Sequence, residues 1–298
     1  MTSAPGDLPE AARRRLDQGA FSSGLSVSDF AACLEMGLEP VGLVQGFCAM
    51  QWGNYSMVGG IGRGSTPFGG SQGGYVENYQ CPHGMISVEH RMFGQNYEQT
   101  WIEDSWREGF TNAYARMIEE AQALGAHGVV GVLDSESSFG EAGVIEFHAR
   151  GTAVRVLDAP PPTQSPWSTY LAGQRLAKVF EAGYVPVSIV ASVASIRVWS
   201  SCVTEYLMEG TTGMWSNSTG AVEIDQLVSA QSIARDVARS KVRAQLLGDA
   251  LHGASLDVVT REFSKGDFEI QSHLSGNRVR RFKDVDPLDV PKPTVRLS

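Results

Sequence analysis

Apolar residues recur along this chain with two periods. Trp106, Phe110, Tyr114 (or Ala113), Met117, Ala121 and Leu124 step by three or four, which predicts a long helix with one apolar stripe. A second such stripe runs through Ala230, Ile233, Ala234, Val237, Ala244 and Leu251. Gly125 and Gly253 are expected to close these helices. Two short helices are predicted upstream of them. Ser26 with Asp29 three residues on is a helix-start signal, and Gly37 and Gly183 suit left-handed stops. Strands are predicted at PVGLVQGF and PVSIVAS. Two more follow each long helix: GVVGVLD with VIEFHARGTAVRVL, and SLDVVTREF with FEIQSHLSGNRVRRF.

The same order therefore occurs twice, and the residues repeat with it. Residues 23–44 match 169–190 at an offset of 146, with Leu25, Ala31, Glu35, Gly37, Pro40, Val41 and Val44 facing identical residues. IEFHARGTAVR (145–155) faces IQSHLSGNRVR (270–280) at an offset of 125, so His148 and His273 fall at equivalent strand positions. The difference requires about 21 extra residues in the first copy, close to the length of the Gly-rich stretch Gly53–Gly74. The predicted organisation is an extension over 1–22, a first domain over 23–157 with an insertion at 53–76, a Pro-rich linker over 158–168, a second domain over 169–283 and an extended tail over 284–298. Each domain is expected to be α+β, a small antiparallel sheet on one long helix plus a short N-terminal helix.

ALGAHGVVGV (123–132), the closing strand ARGTAVRV (149–156) and EPVGLVQG (39–46) resemble the YbjQ-like family, which carries a heavy-metal-binding label. The resemblance covers roughly 25–157, and GASLDVV (253–259) and LSGNRVR (274–280) extend it in diverged form to a second tandem copy. It implies a dodecin-like α+β subunit and closed rings, typically pentamers. It implies no assigned activity.

Composition narrows the function further. The formal net charge is −9, which argues against a phosphate-backbone binder. The basic cluster Arg278, Arg280, Arg281 and Lys283 reads as solvated strand-end charge. Four cysteines without a CxxC pair and a start without an apolar leader predict a reducing, cytoplasmic compartment, and no apolar run is long enough to span a membrane.

Candidate chemistry is sparse. GGSQG (69–73) matches a nucleophile elbow around Ser71, but no strand leads into it, and the stretch reads as a loop. GGIGRGSTPFGG lacks the Gly-Lys-Ser/Thr ending of a phosphate cradle. Cys81, His83 and His90 are the best local metal-ligand grouping, yet no fourth ligand stands nearby. His148 and His273 are weaker metal candidates, and a repeated strand position more often reflects shared packing. No catalytic residue and no cofactor is assigned.

A three-stranded sheet with one helix leaves a face and an edge uncovered, and these need partners. The expected function is a non-enzymatic, self-assembling ring or scaffold component whose first partner is itself, in a pentamer-like ring or a larger closed assembly. The Gly53–Gly74 loop or the tail is a candidate contact for another protein. The alternative is a metal- or small-ligand-binding oligomeric module.

Overall fold

The computed structural model describes residues 22–51, 94–139, 144–208, 223–264 and 267–284. The insertion, most of the tail, and Cys81, His83 and His90 lie outside these residues.

The first half opens with α1 (Val27–Glu35), capped by Ser26, whose Oγ accepts the Asp29 N–H at 3.1 Å. Gly37, at φ 73°, turns the chain into β1 (Leu38–Gln51). After β2 (Asn96–Glu98) come the long helix α2 (Thr100–Ala123), β3 (Gly128–Phe139) and β4 (Val144–Val156). The second half contains β5 (Trp167–Ser168), α3 (Gly173–Glu181), β6 (Tyr184–Trp199), α4 (Cys202–Met208), the long helix α5 (Asp225–Leu246), β7 (Ala250–Ser264) and β8 (Asp267–Arg281). The architecture is α+β with two four-stranded sheets, ordered β1-β4-β3-β5 and β2-β6-β8-β7.

The sheet orders reveal an exchange. β5, from the predicted linker, adds in parallel to the edge of the first sheet, and β2, which precedes α2, adds to the edge of the second. Each half thus finishes the other's sheet. Every pairing except β3–β5 is antiparallel, with a bulge at Pro40/Gly42 in β1 and at Pro186/Ser188 in β6.

α2 has two apolar faces rather than one stripe. Gly109, Ala113, Met117 and Ala121 lie against the first sheet, where Val44, Cys48, Phe147 and Ala149 pack on them. Trp106, Phe110 and Tyr114 turn toward the second half. There Ile189, Ala191 and Val193 of β6 meet the α2 layer, while Val190, Ala194, Ile196 and Val198 face α5 on the opposite side. The layers run sheet, helix, sheet, helix.

α5 departs from the expected stripe. Its buried line is Ala230, Ala234, Ala238 and Val242, whereas Ile233 is exposed. The helix ends at Leu246, stopped by left-handed Leu247 and Gly248. Leu251 and Gly253 belong to β7, and Gly253 sits at a bulge instead of a helix end.

Candidate functional site

The junction between the halves concentrates the buried polar chemistry. Glu103 on α2 is only 4% exposed. Its Oε1 accepts the Ser195 N–H at 2.8 Å, and its Oε2 pairs with Lys241 of α5. Lys241 also reaches Glu98 at 3.1 Å. Burial pushes the Glu103 carboxyl above the usual range, and the Lys241 ammonium and Ser195 N–H pull it back. Gln99 donates its N–H to the Ser195 carbonyl at 2.7 Å, which caps the edge of β6 where β2 ends.

These groups border a cavity of about 630 Å³, walled by Trp106, Phe110, Tyr114 and Ile189, with Lys241 and Gln245 opposite. The Trp106 and Phe110 rings stack with centroids 5.1 Å apart, and Phe110 and Tyr114 follow at 6.0 Å. Nothing in the sequence reading singled out Glu103 or Lys241. The only signal was a carboxylate lying beside Ile102 on an apolar helix face.

In each half the long helix is tied to the strand beneath it. Glu120 of α2 accepts the Gln45 N–H of β1 at 2.8 Å, and Gln245 of α5 donates to the Ala191 carbonyl of β6 at 2.9 Å. Gly46 lies against Ala113, and Ser192 Oγ donates to the Ala238 carbonyl at 3.0 Å. His148 stands opposite Phe47, and His273 stands opposite Val193.

The two histidines have different surroundings. The face bearing Ile189, Ala191, Val193 and His273 is covered by α2, and the Trp106 ring sits edge-on to His273 with centroids 5.9 Å apart. On the first sheet, no helix among the described residues covers the face bearing Phe47 and His148. Phe47 is 44% exposed there and Leu133 58%, and the His148 ring lies against Phe47 at 4.8 Å with Glu146 at 3.7 Å. Both histidines border a smaller cleft of about 160 Å³ together with Trp106, Glu136 and Asp257. Among the described residues no group of three His, Cys, Asp or Glu side chains is placed to hold a metal ion. Among those residues, too, no helix is long and apolar enough to cross a membrane.

Burial pulls the His273 imidazole below its ordinary value. Glu136 of β3 and Asp257 of β7 act in the opposite sense, and Arg261 of β7 adds to the fall. A histidine lowered in the folded state is charged first in the unfolded chain. Its contribution is intact above about pH 6.5 and is lost as the pH falls below that value, at no more than about 1.4 kcal/mol per pH unit. Urea midpoints measured from pH 7.5 to 5 should fall, and His273→Gln should flatten that slope. An unchanged slope in the variant would remove His273 from the account.

The YbjQ family model, described as "Putative heavy-metal-binding", matches residues 89–157, one copy that includes α2, β3 and β4. The chain is 26% identical over 268 residues to an encapsulin nanocompartment protein of Mycobacterium tuberculosis, an alignment covering 88% of this chain and 86% of that protein. No solved structure matches the chain.

Proposed function

We propose that this chain is a non-enzymatic, self-assembling structural component, built from two copies of one YbjQ-like unit, in which the contact between its halves is repeated from copy to copy. One observation carries the reading. The second sheet has its outer face covered by the helix of the first half, while among the described residues no helix covers the matching face of the first sheet and no layer lies beyond the outer side of α5. The two leftover surfaces are related by the same step that relates the halves. A head-to-tail contact of this kind gives a ring where its rotation closes and an open filament where it does not, and the closed form is the one proposed here. The encapsulin nanocompartment relative, matched over most of both chains, supports the same class.

The α5 surface differs in character from its equivalent on α2. At the 125-residue offset Gln231, Arg235 and Arg239 stand where α2 has Trp106, Phe110 and Tyr114. The contact between copies is thus polar and charged on one side, with Glu146, His148 and Phe47 on the other. Mass photometry of the purified chain tests the assembly. Phe47→Asp, placed on the exposed face, should reduce the assembled fraction at least about tenfold and leave the far-UV spectrum unchanged. A wild-type protein that stays monomeric at micromolar concentration ends this reading.

A second reading, a small-ligand module, draws on the aromatic-walled cavity beside Glu103 and Lys241. Mass spectrometry of the supernatant from heat-denatured, as-purified protein tests it. A stoichiometric organic molecule would favour it.

A further inference from the structure

The edge of the first sheet is finished by the chain that follows β4. Trp167 donates its N–H to the His127 carbonyl at 3.1 Å, and Thr169 donates to Val129 at 3.0 Å. In return the Leu171 carbonyl accepts from Gly131 at 2.9 Å, and the Thr169 carbonyl accepts from Val132 at 3.0 Å. Gly131, at φ 59°, forms the bulge that turns these donors outward.

The second half contains the same reception site. β7 is the outermost described strand of its sheet. Ala250 stands opposite Val279 as Gly128 stands opposite Val154. Gly253, at φ 62°, repeats the bulge of Gly131. Beside this edge lies a groove of about 470 Å³, floored by Leu171, Val179, Leu251 and Val279 and rimmed by Arg175 and Lys178.

We infer that the C-terminal segment of the chain, which lies outside the described residues, is the occupant of this groove, with Lys292–Arg296 docking along the edge of β7. Three observations converge on that segment. At the 125-residue offset that aligns β4 with β8, the tail coincides with the linker at Pro162/Pro287, Pro166/Pro291 and Thr169/Thr294. Lys292 therefore follows Arg281 at the same distance along the chain as Trp167 follows Val156. Pro293 falls at the position of Ser168, whose N–H makes no bond to β3, so the proline removes no pairing hydrogen bond. Lys292 and Thr294 take the places of the two donors, Trp167 and Thr169. The charges also fit, because Asp284, Asp286 and Asp289 precede Lys292 in the chain and the groove has a cationic rim.

The swap of Trp167 for Lys292 agrees with the receiving surface. The bare Gly128 backbone accepts the indole, since a Cβ there would lie 2.2 Å from it. Ala250 already carries that carbon, so a second indole has no room.

Hydrogen exchange on the full chain tests the proposal. Exchange over residues 250–256 should be protected in the wild type. It should accelerate at least about tenfold in the double variant Thr294→Pro, Leu297→Asp, while residues 128–132 keep their protection. Equal exchange in the two proteins overturns the assignment. Repeating the measurement over a hundredfold dilution identifies the donor. Protection independent of concentration is expected from the chain's own tail, and protection lost on dilution assigns the groove to another copy and overturns it.

Discussion

Gly46→Ala should cost about 3 kcal/mol or more, the upper range for forcing atoms into a packed interior. A Cβ at Gly46 would lie 1.8 Å from the Ala113 carbonyl oxygen and 2.7 Å from the Met117 amide nitrogen. Both are backbone atoms in the middle of α2, so no side chain can swing aside. The helix must lift from β1, which opens the layer containing Val44, Met117 and Ala121. The equivalent position in the second half provides the control. Ser192 already has a Cβ there and donates its hydroxyl to Ala238, so Ser192→Ala should cost only about 1 kcal/mol. Urea unfolding followed by far-UV circular dichroism compares the two. Equal midpoints would mean that α2 and α5 sit at the same height over their sheets.

Trp106→Ala should be comparably severe, about 3–5 kcal/mol, and should change the form of unfolding as well as its midpoint. The indole is buried at the centre of the junction. Its N–H donates to Glu136 at 2.7 Å, one edge meets Phe147 of the first sheet, and the ring stands edge-on to His273 of the second. Truncation removes the largest group shared by both sheets and leaves Glu136 without its donor. Calorimetry of the wild type should give one transition. In the variant the halves should begin to melt separately, producing a broadened or split endotherm. A loss below about 1 kcal/mol with a single sharp transition would show that the halves are held together elsewhere.

Much of the fold was legible in the sequence because short-range signals fix it. The Ser26–Asp29 cap, the left-handed Gly37 and Gly183, and the placing of His148 and His273 in strands all depend on residues close in the chain. α2 was harder. Its apolar positions follow the helical period, but that period cannot say that Met117 and Phe110 face different sheets. α5 misled for a related reason. Its buried line is mostly alanine, which sets the helix close to β6, and the larger Ile233 beside it is exposed. β2 and β5 are too short to leave an alternation, so the exchange between the sheets was invisible. Glu103 and Lys241 come from helices far apart in the chain, and only the folded topology makes them neighbours.

The exchange of β2 and β5 has an arithmetical consequence. On the proposed reading, each copy would bring two units already joined in sequence and in contact, so any circuit closed by repeating that contact would contain an even number of them. A five-membered circle of units, the arrangement that the resemblance to the YbjQ-like family implies, would have to cut one molecule in half. Whole molecules would then allow six units from three, eight from four or ten from five, which sets the curvatures open to such an assembly.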